Sequence, residues 1–152
     1  MSITEHFSKN IVIKGNPNYI YELCREYANF PKFLSNVQEV QELEDEITQW
    51  KLVDSAGKDI TWKARVTRTD KNQRIAWNTL EGDIKTSGQA VFSKLPDDET
   101  QLSITMNYVF PDNTPSHLRE RLMKNLERSL TDDLNNFKKH AEGMEERLAK
   151  RR

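Results

Sequence analysis

Between Val37 and Phe110 apolar and polar residues alternate with a period of two, and short turn signals interrupt the pattern. The clearest segment runs from Leu102 to Tyr108, where every second residue is apolar and those between are polar. Successive side chains of a strand point to opposite faces of a sheet. The pattern predicts about six consecutive antiparallel strands with one apolar and one solvated face. The turns are predicted at Glu44–Glu46, Ser55–Gly57, Asp70–Asn72, Glu81–Asp83 and Pro96–Asp98.

The segment before this meander predicts one further strand and two short helices. Phe7, Lys9, Ile11 and Ile13 alternate with the residues between them up to Gly15, and Asn16-Pro17 then supplies a capping residue followed by a first-turn proline. The apolar spacing predicts a helix from Pro17 to Asn29, which Phe30-Pro31 ends. A second short helical turn is expected to carry Phe33 and Leu34.

A long amphipathic helix is predicted after the meander, beginning at Thr114-Pro115 and reaching about Leu148. At 1.5 Å per residue it measures ~50 Å, enough to cross the sheet. Gly143 is expected to weaken the helix near its end, so that residues 145–152 fray. The apolar stripe consists of Leu118, Leu122, Leu126, Leu130, Leu134, Phe137, Ala141 and Met144. The 152 residues contain no evident linker or repeat, and we interpret them as one α+β domain.

The composition of the chain limits the classes of partner and the cellular location that we expect for it. Although 31% of the residues are charged, the net charge is only −1, which disfavours nucleic acid and anionic membranes as partners. No apolar run approaches the ~18 residues of a membrane span, and the N-terminus lacks secretory features. The chain is therefore expected to be soluble and cytoplasmic. The single Cys24 cannot form an internal disulfide, and its place on an apolar helix face predicts a buried small residue rather than a nucleophile.

Four segments, in this order along the chain, resemble the START-like (SRPBCC) superfamily, and within it an uncharacterised branch of the bacterial polyketide cyclase/dehydrase and lipid-transport group. The segments are Tyr27–Leu34 with Val37, Trp77 with Glu81-Gly82, Gly88–Phe92, and Thr100–Pro111. The resemblance implies a helix-grip fold, in which a curved antiparallel sheet of about seven strands grips the long C-terminal helix. It also implies a cavity between sheet and helix that holds a small hydrophobic molecule.

On this chain the implied cavity lining comes from the sheet, from the segment after the first helix, and from the final helix. The expected ligand-binding residues are Phe33, Leu34, Trp62, Val66, Arg68, Trp77, Ala90, Phe92, Ile104, Met106, Tyr108, Leu130, Leu134 and Phe137. The alternative is that these side chains fill the core, since apolar and aromatic residues at such spacing indicate burial only.

Arg68 is the candidate for a catalytic residue. Aromatase/cyclases of the superfamily place an arginine, a serine two positions earlier and a tyrosine after the first helices around the substrate. Arg68 matches the arginine and shares its parity with Val66, so it is expected to point inward. Val66 and Val37 occupy the serine and tyrosine positions, which removes both hydroxyls. An inward Arg68 would bind a carboxylate, phosphate or carbonyl head group, whereas the alternative is a side chain that reaches solvent at the strand end.

Other catalytic patterns are missing from the sequence. It contains no nucleophile elbow, phosphate-binding glycine loop or paired metal-ligand spacing, so no cofactor or metal is predicted. His6, His117 and His140 are interpreted as surface or helix-face residues. The pairs Asp97-Asp98 and Asp132-Asp133 are interpreted as turn and helix-surface charge.

Three functions compete. The first is binding or transport of a small hydrophobic ligand such as a lipid, quinone or polyketide-like molecule, which the missing hydroxyls favour. The second is a polyketide cyclase or dehydratase in which Arg68 polarises a carbonyl. The third is a protein-interaction module that uses the exposed tail or a sheet edge. No feature of the sequence indicates an oligomeric state.

Overall fold

The computed structural model describes residues 3–34, 37–53, 57–82, 85–111 and 113–150, with side chains as far as residue 144. The elements follow the predicted order of strand, helix, short helical turn, six strands and long helix. They are β1 (Ile3–Lys14), α1 (Pro17–Arg25), a 3₁₀ turn (Tyr27–Lys32), β2 (Val37–Glu42), β3 (Ile47–Val53), β4 (Asp59–Asp70), β5 (Arg74–Gly82), β6 (Thr86–Leu95), a 3₁₀ turn (Pro96–Asp98), β7 (Glu99–Phe110) and α2 (Ser116–Lys150).

The strands form one seven-stranded antiparallel sheet with the spatial order β1-β7-β6-β5-β4-β3-β2. Strands β2 to β7 are consecutive neighbours, as the meander pattern predicts. Strand β1 pairs along its whole length with β7, from Ile3 opposite Phe110 to Lys14 opposite Glu99. The curved sheet and the long final helix confirm the predicted helix-grip fold.

The structure corrects three helix boundaries. Helix α1 begins as predicted, with the Asn16 side chain accepting a 2.9 Å hydrogen bond from the Tyr19 amide, but it ends at Arg25 rather than Asn29. The chain tightens there into the 3₁₀ turn that contains Pro31, so Phe33 and Leu34 follow the turn instead of lying within it. Helix α2 continues through Gly143 to Lys150. In the predicted turns, Ser55, Ala56 and Asp83 lie outside the described residues.

The tightly packed core lies where α1 and the C-terminal half of α2 meet the sheet. Ile13, Ile20 and Ala141 have no exposed surface, and Leu102 retains 1%. The rest of this cluster is Tyr21, Leu23, Phe33, Ile75, Ala90, Phe92, Leu134 and Phe137. This arrangement closes one end of the space between sheet and helix.

Candidate hydrophobic groove

Burial changes along the apolar stripe of α2. In the second half of the helix Leu134 is 7% exposed, Phe137 4% and Ala141 0%, whereas Leu126 and Leu130, earlier on the inward side, are only partly buried. An amphipathic helix normally buries its stripe against the core along the whole length. The N-terminal half of α2 therefore presents apolar side chains that no neighbouring element covers fully. We call the space between this half, residues 116–130, and the facing strands the groove.

The facing strands show the same incomplete burial. Val66, Trp77, Gly88 and Met106 follow one another across β4, β5, β6 and β7 in direct register, and each is only partly buried. Gly88 leaves room for its neighbours, because a Cβ there would lie 2.8 Å from Cζ2 of Trp77 and 3.2 Å from Sδ of Met106. The sheet thus offers an apolar surface on the side that faces α2.

An aromatic row connects α2 to the far strands through the 3₁₀ turn. Ring centroids are 5.1 Å apart between Phe137 and Phe33, 5.3 Å between Phe33 and Phe30, 5.7 Å between Phe30 and Trp50, and 5.7 Å between Trp50 and Trp62. Edge and stacked contacts of this kind add to the area that the rings bury. Phe30 and Trp50 were not among the predicted lining residues, although the register of β3 and β4 places Trp50 directly opposite Trp62.

The 3₁₀ turn at Tyr27–Lys32 is held in place by Arg25, the last residue of α1. The guanidinium donates hydrogen bonds of 2.7 Å to the Tyr27 hydroxyl and 2.8 Å to Oε1 of Glu46. The hydrogen bond from Arg25 lowers the pKa of Glu46 below its ordinary value. The backbone oxygen of Glu46 also accepts a 2.9 Å hydrogen bond from the Val66 amide. These bonds connect α1, the β2–β3 turn and β4 beside the groove.

The predicted lining residues divide into two sets. Five lie in the closed core, as the core-filling alternative requires: Phe33, Ala90, Phe92, Leu134 and Phe137. Eight are only partly buried: Leu34, Trp62, Val66, Trp77, Ile104, Met106, Tyr108 and Leu130. The second set belongs to the groove and to its border with the core. Sequence periodicity assigns the sheet and helix members of both sets to inward faces but does not separate the two sets.

The expectation that Arg68 points inward is wrong. The register of β4 against β5 shifts between Val66, opposite Trp77, and Arg68, opposite Ala76, which marks a β-bulge. A bulge inserts one residue and exchanges the faces of the residues beyond it. Arg68 consequently lies on the outer face, where its side chain is 59% exposed and its Nε is 2.8 Å from Oδ2 of Asp70. It lines a surface hollow of about 820 Å³ beside the start of α1 rather than the groove.

Polar groups that the sequence analysis did not select lie in the groove and beside it. Thr79 and Thr86 meet with their hydroxyl oxygens 3.2 Å apart, and Thr86 is in register with Tyr108. Asp133, interpreted from the sequence as surface charge, is partly buried, and its Oδ1 is inaccessible to solvent, whereas the adjacent Asp132 is exposed. Burial and, to a lesser extent, the charge of Asp133 raise the pKa of Tyr108 to about 12. At neutral pH Tyr108 is therefore a neutral hydroxyl.

The remaining predicted sites behave as ordinary structural residues. Cys24 packs against the core, and burial raises the pKa of its thiol to about 12, which disfavours the reactive thiolate. His6 and His117 are exposed, and the His140 ring lies 5.3 Å from that of Phe33. Among the described residues no cluster of three or more His, Cys, Asp or Glu is placed to bind a metal ion. Neither helix, over the residues described, is long and apolar enough to cross a membrane.

Tyr108 makes the stability of the protein sensitive to alkaline pH. Because its pKa is raised on folding, its contribution is complete below the unfolded value of about 10 and is lost as the pH rises towards 12. We expect Tyr108→Phe to reduce the fall in the free energy of unfolding between about pH 9.5 and 11.5, by less than ~1.4 kcal/mol per pH unit. Urea titrations followed by circular dichroism at each pH measure this difference. Equal slopes for the variant and the wild type would contradict it.

Comparison with known proteins agrees with this architecture. The Zhui aromatase/cyclase of Streptomyces sp. R1128 superposes with a TM-score of 0.77 at 24% identity, covering 92% of this chain and 94% of that one. A START superfamily protein from Mycobacterium smegmatis superposes with a TM-score of 0.72 at 16% identity, covering 94% and 98%. At these identities the two structures show a shared fold.

Sequence comparison assigns the family. An uncharacterised 17.2 kDa protein from the melC2-rnhH intergenic region of Streptomyces lincolnensis is 28% identical over 122 residues, which cover 80% of this chain and 79% of the relative. The profile described as polyketide cyclase / dehydrase and lipid transport matches residues 13–139. Since this match spans more than half of the chain, the protein belongs to the polyketide cyclase / dehydrase and lipid transport family.

Proposed function

We propose that this protein binds a small hydrophobic molecule in the groove between the N-terminal half of α2 and the concave face of the sheet. The observation that carries the proposal is the change in burial along the inward side of α2, from Ala141 at 0% and Leu134 at 7% to the only partly buried Leu130 and Leu126. Covering the exposed part of the groove with an apolar ligand would gain about 25 cal/mol for each Å² removed from water. The membership of a family that includes lipid transport supports the same function.

Binding is favoured over catalysis because the residues that match the aromatase/cyclase arrangement do not converge. Arg68 lies on the outer face, and its side chain is bonded to Asp70. Val66 and Val37 supply no hydroxyl that could orient a substrate or transfer a proton. The aromatase/cyclase named above therefore supports the fold of this chain more strongly than it supports a shared reaction.

Native mass spectrometry of the protein purified from its own cells, followed by lipid extraction, tests the proposal. Two variants add a carboxylate to the sheet on opposite faces: Met106→Glu points into the groove, and Gln89→Glu points outward from the strand next to β7. An uncompensated charge disfavours an apolar ligand, so we expect occupancy to fall by about tenfold or more in Met106→Glu. Gln89→Glu should retain the ligand.

The outcome that would overturn the proposal is equally specific. An empty protein that also fails to bind the neutral dye Nile red would remove its basis. A co-purifying molecule lost equally from both variants would place the binding site elsewhere. Urea titrations of both variants show whether each remains folded, so that loss of the ligand can be separated from loss of structure.

A further inference from the structure

A cationic residue, Arg119, lies on the inward side of α2 near the start of the helix. It precedes Leu126 by seven residues and Leu130 by eleven, which are about two and about three helical turns, so all three share one side of the helix. The Arg119 side chain is only 20% exposed. A charged group at this depth is normally compensated by hydrogen bonds and an opposite charge. The contacts of the guanidinium therefore indicate what this end of the groove can bind.

The hydrogen bonds of the Arg119 guanidinium are incomplete. Nη1 donates a 2.9 Å hydrogen bond to the backbone oxygen of Thr114. Nε is inaccessible to solvent, and no described residue accepts a hydrogen bond from it. Oε1 of Glu5 lies 3.6 Å from Nε, a distance that leaves an electrostatic contact but is too long for a hydrogen bond. Because a buried N–H without an acceptor is unfavourable, an acceptor supplied by a ligand would stabilise this site.

Strand register places the contact between Arg119 and Glu5 beside the groove. Glu5 on β1 is directly opposite Tyr108 on β7, so both side chains leave the same face of the sheet. The rings of Phe7 and Tyr108 stack with their centroids 5.9 Å apart, which continues the apolar surface of β7 onto β1. Arg68, by contrast, is on the outer face of the sheet. Arg119 is therefore a guanidinium at the groove, in contrast to the arginine predicted from the sequence.

We infer that Arg119 binds the head group of the groove ligand, and that this head group is a carboxylate that replaces Glu5 beside the guanidinium. The inference rests on the proposed function and adds the chemical class of the ligand. The Nε–H and one Nη2–H of a guanidinium point in the same direction and match the two oxygens of a planar carboxylate. The Glu5 side chain is 41% exposed, so it can turn into solvent at little cost. The apolar part of the ligand would then contact the partly buried Leu126 and Met106.

Two naphthalene derivatives of nearly the same shape test the inference: 2-naphthoate, which is ionised at about pH 7.5, and 2-acetylnaphthalene, which is neutral. Unsubstituted naphthalene measures the binding of the ring system alone. Two-dimensional NMR titrations give each dissociation constant and show which backbone amides and which arginine Nε–H groups respond. We expect the wild-type protein to bind 2-naphthoate about fivefold or more tightly than 2-acetylnaphthalene, with a shift of the Arg119 Nε–H resonance.

Two variants should change the affinity for 2-naphthoate in opposite directions. Arg119→Gln removes the positive charge and should reduce the preference over 2-acetylnaphthalene to about twofold or less. Glu5→Gln removes the competing carboxylate and should strengthen the binding of 2-naphthoate about threefold or more, while the affinity for 2-acetylnaphthalene stays within about twofold. Arg121→Gln is the matched control, because Arg121 is exposed on the same helix and its loss changes the net charge equally. This control should leave the preference close to that of the wild type.

The possible failures can be distinguished. If naphthalene binds in the groove while 2-acetylnaphthalene binds as tightly as 2-naphthoate, the proposed function stands and the inference about the head group is wrong. A Glu5→Gln variant that fails to strengthen 2-naphthoate binding, or an Arg121→Gln variant that loses as much preference as Arg119→Gln, would also overturn the inference. If none of the three probes binds, the proposed function itself loses its support. The wild-type ratio and the Glu5 variant are decisive even if the Arg119 variant is unstable.

Discussion

Replacing Leu134 with alanine is expected to lower the free energy of unfolding by ~2–5 kcal/mol, the range for removing a buried leucine from a packed core. Leu134 is 7% exposed and belongs to the cluster that closes one end of the space under α2. Neighbours there include Phe137 and Phe33, so the cavity left by the substitution cannot be filled by solvent at low cost. Urea denaturation followed by circular dichroism measures the loss.

The matched control is Leu126→Ala, the same change about two turns earlier on the inward side of α2. Leu126 is only partly buried, so its removal should lower the free energy of unfolding by about 1 kcal/mol or less, well below the loss at Leu134. The difference between the two variants measures how far the core continues beneath α2. Similar losses at both positions would mean that the first half of the helix is packed, which would contradict the presence of the groove.

Replacing Gly88 with alanine is expected to destabilise the protein by ~1–3 kcal/mol, although the change adds a single methyl group. The new Cβ would collide with the backbone oxygen of Thr105 on β7 and lie 2.8 Å from the Trp77 ring. The carbonyl belongs to the sheet and cannot move independently, so we expect the Trp77 indole beside the groove to shift. The variant should therefore also lower the affinity for a groove ligand.

The same substitution at Gly143 is expected to stabilise the protein instead. Gly143 lies within α2, and a Cβ there would meet nothing within 4 Å. Because alanine is the better helix former, this variant should gain ~0.5–1 kcal/mol. Thermal and urea denaturation of the Gly88 and Gly143 variants, carried out side by side, measure both changes in the free energy of unfolding. A stabilising Gly88→Ala would show that β6 and β7 have more space between them than the register allows.

Strand β7 shows why most of the fold could be predicted from the sequence. Its pairing with β1 and β6 contains no register shift, so the alternation from Leu102 to Tyr108 translates directly into one inward face. The proline and asparagine signals at the start of α1 work for a similar reason, since they depend on local geometry alone. Period and capping residues therefore predict the elements and their order.

The site was less predictable because the positions of three side chains do not follow from the periodic pattern. A β-bulge places Arg68 on the outer face, and β4 contains no glycine or proline that would indicate this bulge from the sequence. Asp133 lies at the margin of the apolar stripe, where burial depends on how close the opposite wall comes. Trp50 joined the aromatic row through the pairing of two strands, which alternation within either strand cannot specify. Each case depends on tertiary distances rather than on spacing along the chain.

The placement of the indole side chains has a practical consequence. All three tryptophans of the chain lie on the inward-facing side of the sheet, Trp50 and Trp62 as a stacked pair and Trp77 beside Gly88. Indole emission depends on the polarity of its surroundings, so displacement of water from the groove should alter the intrinsic fluorescence. The protein thus contains its own optical reporter of occupancy. A library of hydrophobic compounds can be screened on it without any label.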